Sequence, residues 1–355
     1  MPSGIRERKP AMNEYQRNVD DLLALGLRNR WYCIAPSAAV ADRPVPMTRL
    51  GERLVVWRDA AGAVHVQQDQ CPHRAAPLSK GRVVDGLLTC RYHGAQIAGD
   101  GTVASIAISP ECNLIGRKLV RAYPVVEHME GIFAYFGDAL HPEPAPFELP
   151  YEMVEPDWGG LIVSATWRCN HQYVNDNLND PMHAPVLHRG TFTHLVTLQS
   201  EKIFVEDIAH GFSCRRAATG GNSVERMEFL DHTMQYWRFD VNYPPNAGPG
   251  GNLRIVCFVT PIDANNTIIN FWRMRKSTGW QRDLWYFLYK AKLEEFAWQV
   301  LEQDREILED MPAWPPKENL HQHDLGVSRM RRMMRREAEA QIKALEAADQ
   351  SAAAQ

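Results

Sequence analysis

The sequence predicts an α+β chain: a small all-β domain, then a larger domain built on one antiparallel sheet flanked by helices. Three observations predict it. Short β-rich runs broken by turn signals fill the chain from Trp31 to about Gly137. Four prolines (142, 144, 146 and 150) punctuate the next stretch. Beyond them, long strand candidates give way to helical periodicity at about Arg282.

Taken in order, residues 12–28 read as a short helix, with Val19, Leu22, Leu23 and Leu27 at helical spacing. RLVVWRD and AVHVQQD, joined by AAG, form a hairpin, and Gly99–Asp100–Gly101 makes a tight turn. Residues 141–150 are a stiff Pro-rich connector. Strands follow in LIVSATW, FSCRRAA, MQYWRFDV and LRIVCFVTP, interrupted by a polar, helix-prone segment at 170–190. Helices are expected from about Arg282 to Asp310 and from about Gly326 to Ala347. The expected organisation is a helical segment over 1–28, an all-β domain over 29–140, the connector, a second domain over 151–347, and a disordered tail over 348–355.

The chain has 355 residues, 45% hydrophobic and 23% charged, with a formal charge of −4. No global field therefore recruits nucleic acid or anionic lipid. The stretch MPSGIRERKPAMNEYQ lacks the apolar core of a secretion signal, and no run approaches the ~18 apolar residues of a membrane helix. A cytoplasmic location is the expectation. Cys33, Cys112, Cys169, Cys214 and Cys257 stand singly and read as buried free thiols. Cys71 and Cys90 differ, because each has a histidine two or three residues away.

Those two cysteines open the motifs Cys71-Pro-His73-Arg and Cys90-Arg-Tyr-His93-Gly, separated by sixteen residues. Thiolate and imidazole together suit zinc or iron–sulfur chemistry. Structural zinc sites commonly begin with paired cysteines. Here each loop mixes the two ligand types, as a Rieske 2Fe–2S cluster requires: two cysteines hold one iron and two histidines the other. His65, His128 and His141 are lone and read as ordinary histidines.

A second constellation lies in Asn177-Leu-Asn-Asp180-Pro-Met-His183-Ala-Pro185-Val-Leu-His188. His183 falls one helical turn after Asp180, and Pro185 is expected to break the helix before His188. The spacing is not H-E-x-x-H, so a zinc protease fits poorly. Two histidines and a distant carboxylate make the facial triad of non-haem Fe(II) oxygenases. Periodicity nominates the carboxylate. Asp304 lies within the stripe Leu293, Phe296, Ala297, Val300, Leu301, Ile307, Leu308 and Met311, where an ionised group needs a partner or a metal. Glu302, Glu306, Glu309 and Asp310 read as solvated, with Asp310 the next candidate.

The two motifs in this order, followed by a helix bearing Gln303–Asp304, resemble the α-subunits of Rieske non-haem iron oxygenases. The resemblance runs from Trp31 to about His323 and is strongest to aromatic-acid oxygenases and O-demethylases of the dicamba and vanillate type. Ala75 departs from it, standing where many relatives have glycine, and Ala95–Gln96–Ile97 replaces a common tryptophan-containing stretch. The resemblance implies a Rieske domain joined to a helix-grip catalytic domain, assembled as a homotrimer. It implies Cys71, His73, Cys90 and His93 on the cluster, and His183, His188 and Asp304 on one Fe(II). Asp180 would bridge His93 of a neighbouring subunit and His183, against the plainer reading of a helix-capping aspartate; Asp176 and Asn177 suit that capping role better.

The implied reaction is oxidation of a small aromatic, carboxylated substrate with O2. No dinucleotide or flavin fingerprint appears, so a separate reductase or ferredoxin must supply electrons, with NAD(P)H acting only through it. Arg254 shares a strand face with Val256, Phe258 and Thr260 and could receive a substrate carboxylate; the competing reading is a solvent-facing arginine. The run Arg329–Arg336 could dock an acidic reductase or be a solvated helix face. Two rivals remain: a Rieske electron carrier without oxygenase activity, and a zinc-binding protein.

Overall fold

The computed structural model describes residues 18–189, 191, 202–216, 224–243 and 251–353. The N-terminal domain contains β1 (Arg30–Pro36), β2 (Val45–Arg49), β3 (Glu52–Arg58), β4 (Val64–Gln68), β5 (Arg82–Val84), β6 (Leu87–Thr89), β7 (Ala95–Ile97), β8 (Val103–Ile106), β9 (Ala122–Tyr123), β10 (Val125–His128) and β11 (Gly131–Phe136). They form three sheets ordered β1-β11-β10, β2-β3-β4-β9 and β5-β6-β7-β8. The expected hairpin is β3–β4, and its turn closes on Asp59, whose carboxylate accepts from the amides of Ala61 and Ala63 at 2.9 Å each. At the tight turn Gly101 has φ 93°, and a Cβ there would fall 1.9 Å from the Val120 carbonyl oxygen, so only glycine fits.

The second domain carries β12 (Trp158–Trp167), β13 (Ile203–Ile208), β14 (Gly211–Arg216), β15 (Val224–Asp231), β16 (Gln235–Tyr243), β17 (Gly251–Asp263) and β18 (Asn266–Lys276). They make one seven-stranded antiparallel sheet, ordered β12-β18-β17-β16-β15-β14-β13. The helices are α1 (Val19–Leu25), α2 (His171–Leu178), α3 (Ala184–Leu187), α4 (Gly279–Leu288), α5 (Glu294–Glu309) and α6 (Leu325–Ala353), with a π-helical segment Tyr289–Leu293 joining α4 to α5.

Strand alternation gives the large sheet two apolar faces. Trp237, Phe239, Cys257, Val259, Ile269 and Phe271 face one core with Tyr173 and Val174 of α2, Leu301 and Leu308 of α5, and Met330 and Met334 of α6. Their neighbours Val256, Phe258, Trp272 and Met274 face the other way, against Trp31, Cys33, Phe133 and Tyr135 of the N-terminal domain. A register shift between Cys33 and Ala35 frees the Cys33 carbonyl, which accepts from Thr260 Oγ1 (2.9 Å) and Asn270 Nδ2 (3.0 Å) of the sheet.

Three expectations change. The helix expected over 12–28 is α1, stopped by Gly26 at φ 101°; residues 12–17 lie outside the described residues. The Pro-rich connector has no regular structure but is packed down: Ala145, Phe147 and Leu149 join the second core, and Trp31 Nε1 donates to the Ala145 carbonyl at 2.8 Å. Residues 348–353, expected to be disordered, continue α6, because no glycine or proline stops that alanine-rich helix.

The domains are also held by charge. Arg30 of β1 forms a buried pair with Asp231 of β15, their side chains 4% and 7% exposed. Arg30→Ala strands the buried carboxylate and should destabilise the fold by about 3–5 kcal/mol. Arg335→Ala, which breaks an exposed pair with Asp20, should cost under about 1 kcal/mol. Denaturant titration of both variants checks the contrast.

Candidate metal centres

The first centre lies on the loops entering β5 and β7. Both loops fold alike. The Cys71 amide donates to the Ala76 carbonyl and the Cys90 amide to the Ala95 carbonyl, at 2.8 Å each; the Ala75 and Gly94 amides turn back to the Cys71 and Cys90 carbonyls at 2.9 and 3.1 Å. Ala75 (φ 57°) and Gly94 (φ 69°) occupy equivalent left-handed positions. The cysteines are buried among Val55, Trp57, Leu78, Leu88 and Ile97. Burial pushes the Cys71 thiol up, and the adjacent Cys90 thiol adds to this. His73 Nδ1 faces His93 Nδ1 at 3.1 Å, and Tyr92 stacks on His93 at 3.9 Å. A pair of thiols beside a pair of imidazole nitrogens, one of each from each loop, fits a Rieske cluster: the thiols match one iron and the imidazoles the other.

The second centre forms where α2, α3 and α5 meet. Asn170 caps α2, its side chain accepting from the Gln172 amide at 2.9 Å. Asp180 follows α2 and accepts from the Met182 amide at 2.7 Å. Pro185 sits in the first turn of α3, where its missing N–H costs nothing. It therefore starts a helical turn rather than breaking one, and His183 and His188 cap the two ends of α3.

Asp304 is buried in mid-helix, as its place in the stripe requires, although Ile307 and Met311 of the same expected stripe are exposed. Its Oδ1 lies 3.2 Å from His188 Nε2 and 3.5 Å from His183 Nε2. Asn177 Nδ2 donates to the same oxygen at 3.1 Å. Ligand atoms of His183, His188 and Asp304 all fall within 4.8 Å of one another, the one such group among the described residues.

Burial works against charge on His183, yet the Asp180 and Asp304 carboxylates outweigh it and raise the imidazole to about 9. Burial likewise opposes ionisation of Asp304, and the two imidazoles overcome it, holding the carboxyl at about 2. The pocket is thus built for a positive charge. Two imidazoles and one carboxylate suit a divalent first-row metal with open positions. Asp180 Oδ2 stands 3.5 Å from His183 Nδ1, the ring nitrogen away from Asp304.

A paired thiol–imidazole site and a two-histidine, one-carboxylate group in a single chain fit an iron–sulfur redox protein with room for a second, mononuclear metal. Residues 30–124 match the Rieske [2Fe-2S] domain, and residues 167–340 match the vanillate O-demethylase oxygenase C-terminal domain. The chain belongs to the Rieske oxygenases. It is 28% identical over 323 residues to a vanillate O-demethylase oxygenase subunit of Pseudomonas sp. (strain ATCC 19151), covering 80% of this chain and 94% of the relative. It is 34% identical over 168 residues to the dicamba O-demethylase oxygenase component of Stenotrophomonas maltophilia, covering 46% of this chain and 48% of that one. The match to chlorophyllide a oxygenase of Chlamydomonas reinhardtii is 36% identical over 171 residues but spans only 25% of the relative. Among solved structures, dicamba monooxygenase bound to dicamba superposes with a TM-score of 0.72 at 21% identity, covering 88% of this chain and 98% of that chain, which places the fold.

Arg254 does not join the site. Strand alternation puts it with Val256 and Phe258 on the face opposite α2 and α5, where it pairs with Asp240 and lies 3.5 Å from Glu152. The expectation that it receives substrate is corrected accordingly. Asp176 does not cap α2 but forms an ion pair with Arg331, and Asn177 reaches Asp304. Within the Arg329–Arg336 run, Arg329 pairs with Asp207 and Arg331 with Asp176 and Glu318, Met330 and Met334 are buried, and Arg332, Arg335 and Arg336 are exposed. No helix among the described residues is long and apolar enough to cross a membrane. Sequence reasoning gave Gln303 no role; its Oε1 lies 2.9 Å from His188 Nδ1.

The two cluster loops differ at one left-handed position. Ala75→Gly should relieve about 1 kcal/mol of backbone strain and slow cluster loss on heating. Gly94→Ala should hasten it, since its Cβ would also meet the Ala107 Cβ at 3.2 Å. Visible absorbance followed through a thermal ramp reads both.

The two centres should also separate chemically. Cys71→Ser should abolish the cluster absorbance, whereas His183→Ala, His188→Ala or Asp304→Ala should preserve it and lower iron from three to two per chain. Metal analysis beside the visible spectrum checks this; full iron content in Asp304→Ala would remove that residue from the ligand set.

Proposed function

We propose that the chain is a terminal oxygenase that uses O2 and electrons from a separate ferredoxin or reductase to oxidise a small aromatic, carboxylated substrate. The observation that carries the reading is the convergence of His183, His188 and Asp304 within 4.8 Å in a chain that also holds the paired Cys71–Cys90 and His73–His93 loops. An electron carrier alone would leave the buried triad idle. The relatives named for vanillate, dicamba and phenoxybenzoate support an aromatic acid, and solved oxygenase–ferredoxin complexes of similar fold support a ferredoxin donor.

In this reading Cys71, Cys90, His73 and His93 hold the 2Fe–2S cluster, and His183, His188 and Asp304 hold one Fe(II). The iron supplies O2 activation and the cluster supplies electrons one at a time. The chain's own residues set the conditions. Asp304 brings the negative charge that favours a cation, and Asn177 donates to that carboxylate and steadies it. Asp180 faces His183 at Nδ1, 3.5 Å away, which would leave Nε2 for the metal.

A homotrimer in which His93 of one subunit meets Asp180 of the next is part of the reading, as Asp180 is already half-engaged through His183. None of the seven cysteines forms a disulfide, in keeping with a reducing compartment such as the cytoplasm. The test is product analysis under 18O2 with a reductase system and a panel of aromatic acids and their methyl ethers. Labelled hydroxylated product, or formaldehyde release from an ether, is the expected outcome. A chain with three irons and a reducible cluster that oxidises no member of the panel would sink the aromatic-acid reading.

A further inference from the structure

The two histidines of the second centre are held from behind by different chemistry. His183 Nδ1 faces the Asp180 carboxylate, whereas His188 Nδ1 lies 2.9 Å from Gln303 Oε1. We propose that Gln303 is a positioning residue that fixes the tautomer and orientation of His188 and so tunes its strength as a metal ligand. The proposal rests on the oxygenase reading of the site.

An amide oxygen can only accept, so the His188 Nδ1 facing it carries the proton. That leaves Nε2 with its lone pair turned to the Asp304 side, 3.2 Å from Oδ1. Gln303 and Asp304 are consecutive in α5, and side chains of neighbouring helical residues diverge by about 100°. One helix therefore grips both nitrogens of one ring, Asp304 from the metal side and Gln303 from behind. The ring has little other freedom: His188 is 2% exposed and ends a single-turn helix.

Gln303 also stands at a boundary. With Arg189, Trp298, Gln299 and Glu302 it lines an open surface groove. Its amide oxygen nonetheless reaches the buried ring at Nδ1. The choice of a neutral amide is informative, because Glu295, Glu302 and Glu306 line up carboxylates on a neighbouring face of this same helix. A carboxylate behind His188 would draw on the Nδ1 proton and strengthen the ring as a donor, as Asp180 does for His183. The amide keeps the two histidines unequal.

Gln303→Leu removes the acceptor at similar size, and Gln303→Glu keeps an acceptor but adds charge. Both variants, as full-length protein with an intact cluster spectrum, are titrated with Fe(II) against a chelator and examined by EPR of the ferrous site with nitric oxide as probe. Gln303→Leu should lose about 10–100-fold in Fe(II) affinity and give a heterogeneous nitrosyl signal. Gln303→Glu should keep affinity within a few-fold and shift the rhombicity of that signal. Wild-type affinity and signal in Gln303→Leu would overturn the proposal, as would equal loss of iron in both variants. If Gln303→Leu fails to hold its cluster, Gln303→Glu decides: a shifted signal supports the role and an unchanged one overturns it. A wild-type chain holding only the two cluster irons would overturn the oxygenase reading and this proposal with it.

Discussion

An ionised carboxylate on the buried face of a helix must be compensated, and the compensation of Asp304 organises the catalytic half of the molecule. One oxygen of that residue accepts from Asn177 and lies within 3.5 Å of the Nε2 atoms of His183 and His188. Those three come from α2 and from the two ends of α3, so both helices must lie over α5. Their hold on the sheet is equally specific: Trp237 Nε1 of β16 donates to Asn175 Oδ1 of α2 at 2.9 Å. The charge that suits a metal thus also fixes where the surrounding helices can sit. The π-helical turn ahead of α5 adds a residue to its winding there, a device often found beside functional sites.

The seven-stranded sheet has helices bearing the mononuclear site on one face and the N-terminal domain on the other. Electrons that leave the cluster of a chain would have to round or cross that sheet to reach its own iron. In the proposed homotrimer, a path between subunits through Asp180 would avoid that detour. The face towards the N-terminal domain holds its own charges, where Glu152, Glu228 and Asp240 meet Arg238 and Arg254. Those arginines are committed to that seam.

Much of the site was legible because metal ligation imposes residue types at fixed spacings. Cys71, His73, Cys90 and His93 stand out within short loops, and Asp304 stands out because it breaks an apolar stripe. Arg254 misled because period-two alternation tells which residues share a face but not which face meets the metal. That assignment depends on how helices from two distant segments pack. Pro185 misled in a different way: a proline ends a helix or begins one, and only the hydrogen bonds of the turn distinguish the two. Gln303 carried no periodic signal, since a glutamine at the flank of a helix is ordinary until a histidine from another segment is found behind it.

The last helix has a consequence for how the molecule comes into being. Gln341 of α6 reads the backbone of Arg28 in both directions, accepting from its amide at 3.0 Å and donating to its carbonyl at 3.1 Å across 313 residues, and Glu337 lies 3.7 Å from Arg30. The strand that opens the N-terminal domain is therefore secured by a segment 313 residues further along the chain. On the ribosome, the cluster loops emerge long before their domain has its final anchors. Until that anchor has been made, the strand lacks the partner that reads its backbone, so the loops carrying Cys71 and Cys90 are synthesised well ahead of the contact that secures their domain to α6.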